Sequence, residues 1–400
     1  MVTRPDLDVG VLVVGAGPQG LAAVLHLLER APRLADDLLV ADPAGWMGRW
    51  NDRFARFDIA HLRSPGVHHP GCDPHELTDW CRRRGHPSDL PYSIPTTTGF
   101  RAYCEHLVAT AGLTEAVTPV GVQALAAGAA RSVARLDDGT TVSARHVVLA
   151  VDPARRQLPT WVPDTAGVAP ERLAHAEEVD LRGLRLDGEV VVVVGGGLTA
   201  GHLAVGAAAR GATVHLVARR ALRESMFDTD PGWLGPRNLR AYYAIDDPRE
   251  RLRQCLAARD GGSIPPWMAR RLRALAADGV LEIHAPTEVR TARPTGSGLA
   301  LELTDGTELA ADRVWLATGT RPDVHAHRLT AALAAGHPAT VVDGWPVLER
   351  DLRWPGTNVH LLGRLAMLAL GPAAGNLWGA RMGATIVAAG ICAQQLSSPA

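Results

Sequence analysis

A short apolar strand that runs straight into a glycine turn and then into an apolar helix leaves a chain few folds to choose from, and this chain makes the move twice. Val9–Val14 leads into Gly15-Ala16-Gly17-Pro18-Gln19-Gly20 and the helical stretch Leu21–Glu29. Far downstream, Val190–Val194 leads into Gly195-Gly196-Gly197-Leu198-Thr199-Ala200 and a second apolar helix. A second matched pair follows in the same order. Asp138-Gly139-Thr140 precedes an apolar run ending at Leu149-Ala150, and Asp305-Gly306-Thr307 precedes one ending at Leu316-Ala317. Each reads as a turn, a short strand and then a buried strand. Two signals in register predict two copies of one βαβ-type nucleotide-binding unit.

In such turns the first glycine permits the tight bend and the second lets the backbone approach a diphosphate. The third position keeps helix and strand close. Phosphate then meets free N–H groups at a helix N-terminus, where the dipole adds about 0.3–1 kcal/mol. The residue ending the next strand separates the two ligands. Leu38–Ala41 ends at Asp42, a carboxylate suited to a ribose 2′-hydroxyl and hostile to a 2′-phosphate, as the adenosine of FAD requires. Thr213–Ala218 ends at Arg219-Arg220, whose guanidinium groups suit a 2′-phosphate, so the second cofactor reads as NADPH, with NADH as the alternative. In so arginine-rich a chain, two surface arginines give the same letters.

The expected fold class is α/β, three-layer, with two Rossmann-like dinucleotide-binding domains and a discontinuous FAD domain. The expected limits are 1–155 with 335–400 for the FAD domain, 172–334 for the NAD(P)H domain, and 156–171 for a Pro-rich crossover. The 400 residues suit two domains at about 150 residues each.

Composition removes other classes. A formal net charge of −1 gives no field to attract nucleic acid or an anionic membrane. No apolar run approaches the roughly 18 residues of a membrane span, and the opening residues lack the order of a secretory leader, so the expected location is cytoplasmic. The five cysteines form no CxxC, no Cys/His grouping has zinc spacing, and no metal is expected from the sequence. The chain has no lysine: all 41 basic residues are arginine. Schiff-base chemistry and a lysine general base are excluded, and every cationic contact comes from Arg, His or a helix N-terminus.

Three polar segments stand out. His61-Leu62-Arg63-Ser64-Pro65-Gly66-Val67-His68-His69-Pro70 follows Trp50 at a distance that places it beside an isoalloxazine ring. Arg63 and Ser64 are the candidates for bonding the flavin ring, and His68 or His69 for facing substrate; a loop with capping histidines is the plainer account. Phe227-Asp228-Thr229-Asp230-Pro231-Gly232-Trp233 reads equally as a cover over nicotinamide or substrate and as a surface loop. Near the end, a strand stops at Gly363-Arg364, and Gly371-Pro372-Ala373-Ala374-Gly375-Asn376 opens the helix Leu377–Ile391. A glycine-rich turn into a helix N-terminus suits negative charge on the pyrimidine end of a reduced flavin.

With these motifs in hand, the sequence resembles class B flavin monooxygenases, through its two turns and Gly45-Trp46-Met47-Gly48-Arg49-Trp50 after Asp42. Asp312-Arg313-Val314-Trp315-Leu316-Ala317-Thr318-Gly319-Thr320 is similar to the D-x3-L-ATG-Y signature of the bacterial lysine and ornithine N-hydroxylases, with His325 where that signature ends. The resemblance implies a monooxygenase in which NADPH reduces FAD, a flavin C4a-hydroperoxide forms with O2, and a small amine is N-hydroxylated. The cofactor-binding set it completes is Gly15, Gly17, Pro18, Gln19, Gly20, Asp42, Pro43, Arg49, Trp50 and Leu62 for FAD. Gly195, Gly197, Leu198, Thr199, Arg219, Arg220, Thr318 and Gly319 follow, with Gly363, Gly375 and Asn376 at the flavin end. Three departures stand against it: Thr320 replaces the aromatic residue, the chain is shorter than typical members, and no lysine exists to hold an amino acid carboxylate. The F-x-G-x3-H-x3-W fingerprint of other class B enzymes also fails, with Ala169, Glu171 and Val179 around His175.

Two other functions fit the same cofactors: an NAD(P)H:acceptor reductase that inserts no oxygen, and a non-catalytic FAD/NADPH redox sensor. A dithiol reductase is disfavoured for want of a CxxC beside the flavin. A homo-oligomer is left open.

Overall fold

The computed structural model describes residues 6–397 except 87, 89, 166 and 297. Residues 1–5, on which the leader reading rests, lie outside the described ones.

Two parallel sheets carry the two glycine turns. In the first, Leu7–Val14 lies between Leu38–Ala41 and Thr141–Leu149, parallel to both, with Val117–Thr118 at one edge. Thr141–Leu149 serves three neighbours. Its first half pairs antiparallel with Ser132–Leu136, the start of a meander that continues to Val122–Ala126. Its second half pairs in parallel with Val359–Leu361, a strand from the C-terminal region. Asn358 sets that junction: its amide donates to the carbonyls of Ala144 and Arg145. The first nucleotide-binding unit is therefore discontinuous.

Alternation and apolar runs decide the layers. One face of this sheet packs on the helices Pro18–Arg30, Thr97–Thr110 and Leu377–Ser397, with Val11, Leu21, Phe100 and Ile391 in one core. The opposite face buries Leu12, Val14, Val147 and Leu361 against the meander and the helix Arg328–Gly336. Val324, Leu329 and Leu333 belong to that core, so the chain is back on the first sheet by Val324.

The second sheet is all parallel, in the order Leu281–His284, Thr213–Val217, Val190–Val194, Arg313–Leu316, Leu173–His175. Helices Leu198–Ala208 and Pro266–Ala277 cover one face, and the antiparallel meander Val289–Pro294, Leu299–Leu303, Glu308–Ala311 covers the other. The two units match at their turns: Leu136 N–H donates to Thr140 O as Leu303 N–H donates to Thr307 O. They differ after it. Glu308–Ala311 and Arg313–Leu316 are separate strands, whereas the first copy fuses both into the nine-residue Thr141–Leu149.

The chain crosses between sheets at Ala154–Arg156 and recrosses at Thr320–Pro322, and these two segments pair antiparallel. A third connection is made by side chains. The helices Pro236–Tyr243 and Pro248–Arg259 leave the second unit and put Leu239, Tyr242, Leu252 and Cys255 into the first core, where the Tyr242 hydroxyl meets the carbonyls of Met367 and Leu368. Among the described residues no helix is long and apolar enough to cross a membrane.

Candidate functional site

The first glycine turn is built from backbone that admits no side chain. Gly15 takes φ +102°, and a Cβ there would sit 2.7 Å from the carbonyl oxygen of Ala150. A Cβ on Gly20 would lie 1.9 Å from Gly15 O, so the helix start and the strand end touch backbone to backbone. Gly17 is the exception: nothing lies within 4 Å of its Cβ position, and the turn is open there, at the N-terminus of Pro18–Arg30. Open space at this position is what lets a diphosphate approach the backbone of such a turn.

Asp42 is 8% exposed and binds the turn from below. Its Oδ2 accepts from Ala16 N–H and its Oδ1 from Ala44 N–H, both at 2.8 Å. Each carboxylate oxygen keeps a second lone pair for a hydroxyl. Gln19 donates from Nε2 to the carbonyls of Ala374 and Asn376, tying the turn to the glycine-rich segment before the last helix, while its Oε1 is buried without a protein partner. An open cradle, a carboxylate under it and an unpartnered buried oxygen beside it fit a dinucleotide bound in the first turn.

The second turn repeats the geometry with one change. Gly195 takes φ +149° with its Cβ position 2.4 Å from Ala317 O, as Gly15 faces Ala150. Ala317 N–H donates to Val194 O as Ala150 N–H donates to Val14 O. Gly197 is covered, however. The Cα of Gly262 stands 3.5 Å from its Cβ position, and a side chain on Gly262 would meet Gly197 Cα at 2.8 Å. The segment Arg259–Ser263 lies across the turn. Arg220 holds it, donating to Asp260 Oδ1 and Asp260 O, each at 3.1 Å, and Arg223 donates to Arg259 O at 3.0 Å. Arg219 is exposed and enters no ion pair among the described residues.

The same segment reaches the other site. Arg259 donates to Pro372 O at 3.0 Å and pairs with Asp228 at 3.2 Å, placing the 227–233 island against the Gly371–Asn376 turn. Within that island Thr229 is buried with an unpartnered Oγ1, and Asp230 caps the short helix Pro231–Leu234.

Arg63 belongs to this junction. The sequence offers it as a candidate for bonding the flavin ring; in the structure its guanidinium reaches across to the second unit, at Ser225 O (2.7 Å), Ser263 Oγ (2.8 Å), Ser263 O and Met226 O (3.1 Å each). Burial lowers it from its usual range to about 10, with Asp228 working against the shift. Ser64 is half-buried beside it. His68 lines a cavity of about 160 Å³ with Val67, Pro74, Trp378, Arg381 and Met382. Burial, helped by Arg381, lowers its pKa to about 4, so the ring is neutral near pH 7. His69 faces away from that cavity into packing: it is fully buried, its Nδ1 meets Tyr103 Oη and Gly71 N, and burial lowers its pKa to about 4.

The remaining expected residues fall in two groups. Leu62 is buried, Trp50 stacks on Phe54 at 4.8 Å, and Pro43 and Arg49 are exposed beside the first turn. Met47, at φ 58°, donates its N–H to Ala16 O and so seats the Gly45–Trp50 segment on the turn. At the flavin end, Gly363 faces Gln19, and Asn376 caps the last helix by accepting from Gly379 N–H. Gly375 is glycine because Arg364 crosses it, with Cγ 2.4 Å from its Cβ position. That arginine pairs with Asp152 and donates to Thr320 Oγ1 at 3.0 Å, which gives Thr320 a use that an aromatic residue lacks. In the second unit Leu198 and Thr199 open the helix, while Thr318 donates to Gln157 O and Gly319 O receives Gln157 N–H, so the ATG-type segment fastens the crossover.

Sequence reasoning missed the Arg259–Ser263 segment. Asp260-Gly261-Gly262 is a turn signal in the letters, but nothing in them says which surface the turn covers.

Comparison with known proteins bears on this arrangement. Residues 12–152 match a family model described as FAD-NAD(P)-binding. No curated protein matches the chain. Among solved structures, the reduced ornithine hydroxylase of Pseudomonas aeruginosa superposes with TM-score 0.77 at 16% identity, covering 97% of this chain and 100% of that one. The ornithine N-hydroxylase of Kutzneria sp. 744, solved with reduced FAD, NADP+ and L-ornithine, gives 0.76 at 17%, covering 97% and 100%. A bacillithiol disulfide reductase from Staphylococcus aureus gives 0.64 at 14%, covering 97% and 99%. The chain thus has the two-dinucleotide α/β fold of the N-hydroxylating flavin monooxygenases, and its resemblance to that family in sequence motifs is matched by its architecture.

Proposed function

We propose that this chain is an FAD-dependent, NADPH-using monooxygenase that N-hydroxylates a small amine. The observation that carries the reading is the open cradle at Gly17 over the buried Asp42, joined through Gln19 to the N-terminus of the last helix. Asp42 would hold the ribose of FAD, the N-terminus of Pro18–Arg30 its diphosphate, and the Gly371–Asn376 turn its pyrimidine edge. Arg219 would read the 2′-phosphate of NADPH. When bound, the flavin supplies hydride acceptance and dioxygen chemistry.

The protein's own part is arrangement and exclusion. Arg63 and Arg259 clamp the two units over the flavin end and close it to water. Asp228, between them, presents a carboxylate to an ammonium-bearing substrate, and His68, kept neutral by burial, adds no positive charge beside it. His69 and Ser64 position that loop. The P. aeruginosa and Kutzneria neighbours act on ornithine by their names, which supports an amine as substrate.

A reductase that inserts no oxygen is the second reading, favoured by the fold shared with the bacillithiol disulfide reductase. One experiment separates them. The FAD-loaded protein is given NADPH, air and a panel of primary amines, and hydroxylamine and hydrogen peroxide are both measured. Amine-dependent hydroxylamine is the expected result. Peroxide alone with every amine overturns N-hydroxylation, and failure of NADPH to bleach the flavin overturns the second cofactor.

A further inference from the structure

Away from both glycine turns, three polar side chains converge on one face of the second sheet. His215 stands in the middle of Thr213–Val217, and Glu282 and His284 alternate along the adjacent edge strand Leu281–His284. The parallel register sets His215 beside Glu282 and Val217 beside His284. Val214, Leu216 and Leu281 point into the helical core on the other face, so alternation brings His215, Glu282 and His284 together on the face that carries the antiparallel meander.

The distances are those of ligands around a small cation. His215 Nδ1 lies 3.0 Å from His284 Nε2 and 3.5 Å from Glu282 Oε2, and His284 Nε2 lies 3.8 Å from the same oxygen. Ligand atoms in a tetrahedral site with bonds of about 2.1 Å stand ~3.4 Å apart, inside that range. The imidazole side chains are 17% and 7% exposed and held by packing, while the carboxylate is 65% exposed and sits at the mouth. Two packed nitrogens and an exposed oxygen put one side of the cluster toward solvent.

We infer that His215, Glu282 and His284 form a binding site for a divalent transition-metal ion. Two imidazoles and one carboxylate suit Zn²⁺ or Co²⁺, whereas Mg²⁺ and Ca²⁺ prefer all-oxygen sets. The ion joins the edge strand to Thr213–Val217, two residues before Arg219, and so stiffens the base from which that arginine projects. The letters hide the site: Glu282 and His284 are local, but His215 comes from a different strand, and no fixed spacing links them.

The test uses the FAD-loaded, chelator-treated protein titrated with Zn²⁺ by calorimetry and with Co²⁺ by visible absorption. One equivalent binds saturably, the Co²⁺ form shows tetrahedral d–d bands, and Tm rises. His215→Ala and His284→Ala each weaken binding by at least about tenfold, since loss of even an outer-shell partner costs about that much. His26, Glu29 and Cys72 also approach one another and supply the control: Cys72→Ser leaves the affinity unchanged. Absence of saturable binding overturns the site, as does binding that survives both histidine substitutions or vanishes in Cys72→Ser. If the histidine variants fail to fold, the exposed Glu282→Gln decides: weaker binding supports the site and unchanged affinity overturns it.

Discussion

The two glycine turns have the same frame and opposite faces. In each, the first glycine backs onto the carbonyl of the alanine that follows a neighbouring parallel strand, Ala150 after Thr141–Leu149 or Ala317 after Arg313–Leu316, and the turn's first N–H donates to the strand on the other side, at Ala41 O or Val217 O. Yet Gly17 looks into open space and Gly197 looks at Gly262. The third position differs too: Gly20 in one, Ala200 in the other. The first turn is shaped for a ligand that stays, with helix and strand in backbone contact under it. The second is looser by one methyl and has a cover made of its own chain, as suits a ligand that comes and goes.

The largest expected effect tests the frame. Gly20→Ala puts a methyl 1.9 Å from Gly15 O, where backbone must move, and overpacking of this kind costs about 1–3 kcal/mol or more. Flavin absorbance per protein should fall at least about tenfold, with a lower Tm. Ala200→Gly in the second turn should retain full flavin and cost only about 0.5–1 kcal/mol, the helical penalty of glycine. Equal losses from both substitutions would show that the two turns do not differ in tightness.

This asymmetry was half legible. The strands, the turns, Asp42 and the returning C-terminal strand follow from apolar runs, glycine positions and one carboxylate, all of them local signals. Local signals also found the Asp138–Thr140 and Asp305–Thr307 hairpins, though not that one copy would fuse its following strands. What the letters withheld depends on long-range packing. Arg63 reads as a candidate for the flavin ring because it sits in a polar loop, and no local signal says that its guanidinium meets three carbonyls and a hydroxyl some 160–200 positions away. Ser263, Gly262 and the helices 236–259 acquire meaning only once the two units face each other.

The next effect concerns what lies under each turn. Asp42→Asn removes the charge that two backbone N–H groups share and sets an amide donor against one of them. Hydrogen bonds to charged groups contribute about 1.5–3 kcal/mol, so flavin should dissociate roughly 10- to 100-fold more readily, measured by dialysis and fluorescence of released FAD. Ala218 occupies the corresponding strand end in the second unit and offers no side-chain acceptor, so it has no counterpart to the role proposed for Asp42. Unchanged flavin retention in the variant would remove the carboxylate from the comparison.

The smallest effects sharpen the account of the cover. Arg219 enters no ion pair among the described residues and Arg220 is latched to Asp260, so the two arginines should respond differently although they are neighbours. Arg219→Ala should lower the preference for NADPH over NADH by about tenfold, one guanidinium–phosphate contact being worth about 1.5–3 kcal/mol before solvent screening. Asp260→Ala removes the carboxylate half of the Arg220 latch, leaving the bond to the backbone carbonyl, and so loosens Gly262 over Gly197. The pair is more than half exposed and worth at most about 1 kcal/mol, so kcat/KM for NADPH should rise by a few-fold, with flavin content unchanged. The direction matters more than the size. A fall in kcat/KM on breaking the latch would mean that the segment holds the nicotinamide nucleotide rather than screening it, and the second turn would then be completed by Arg259–Ser263 instead of closed by it.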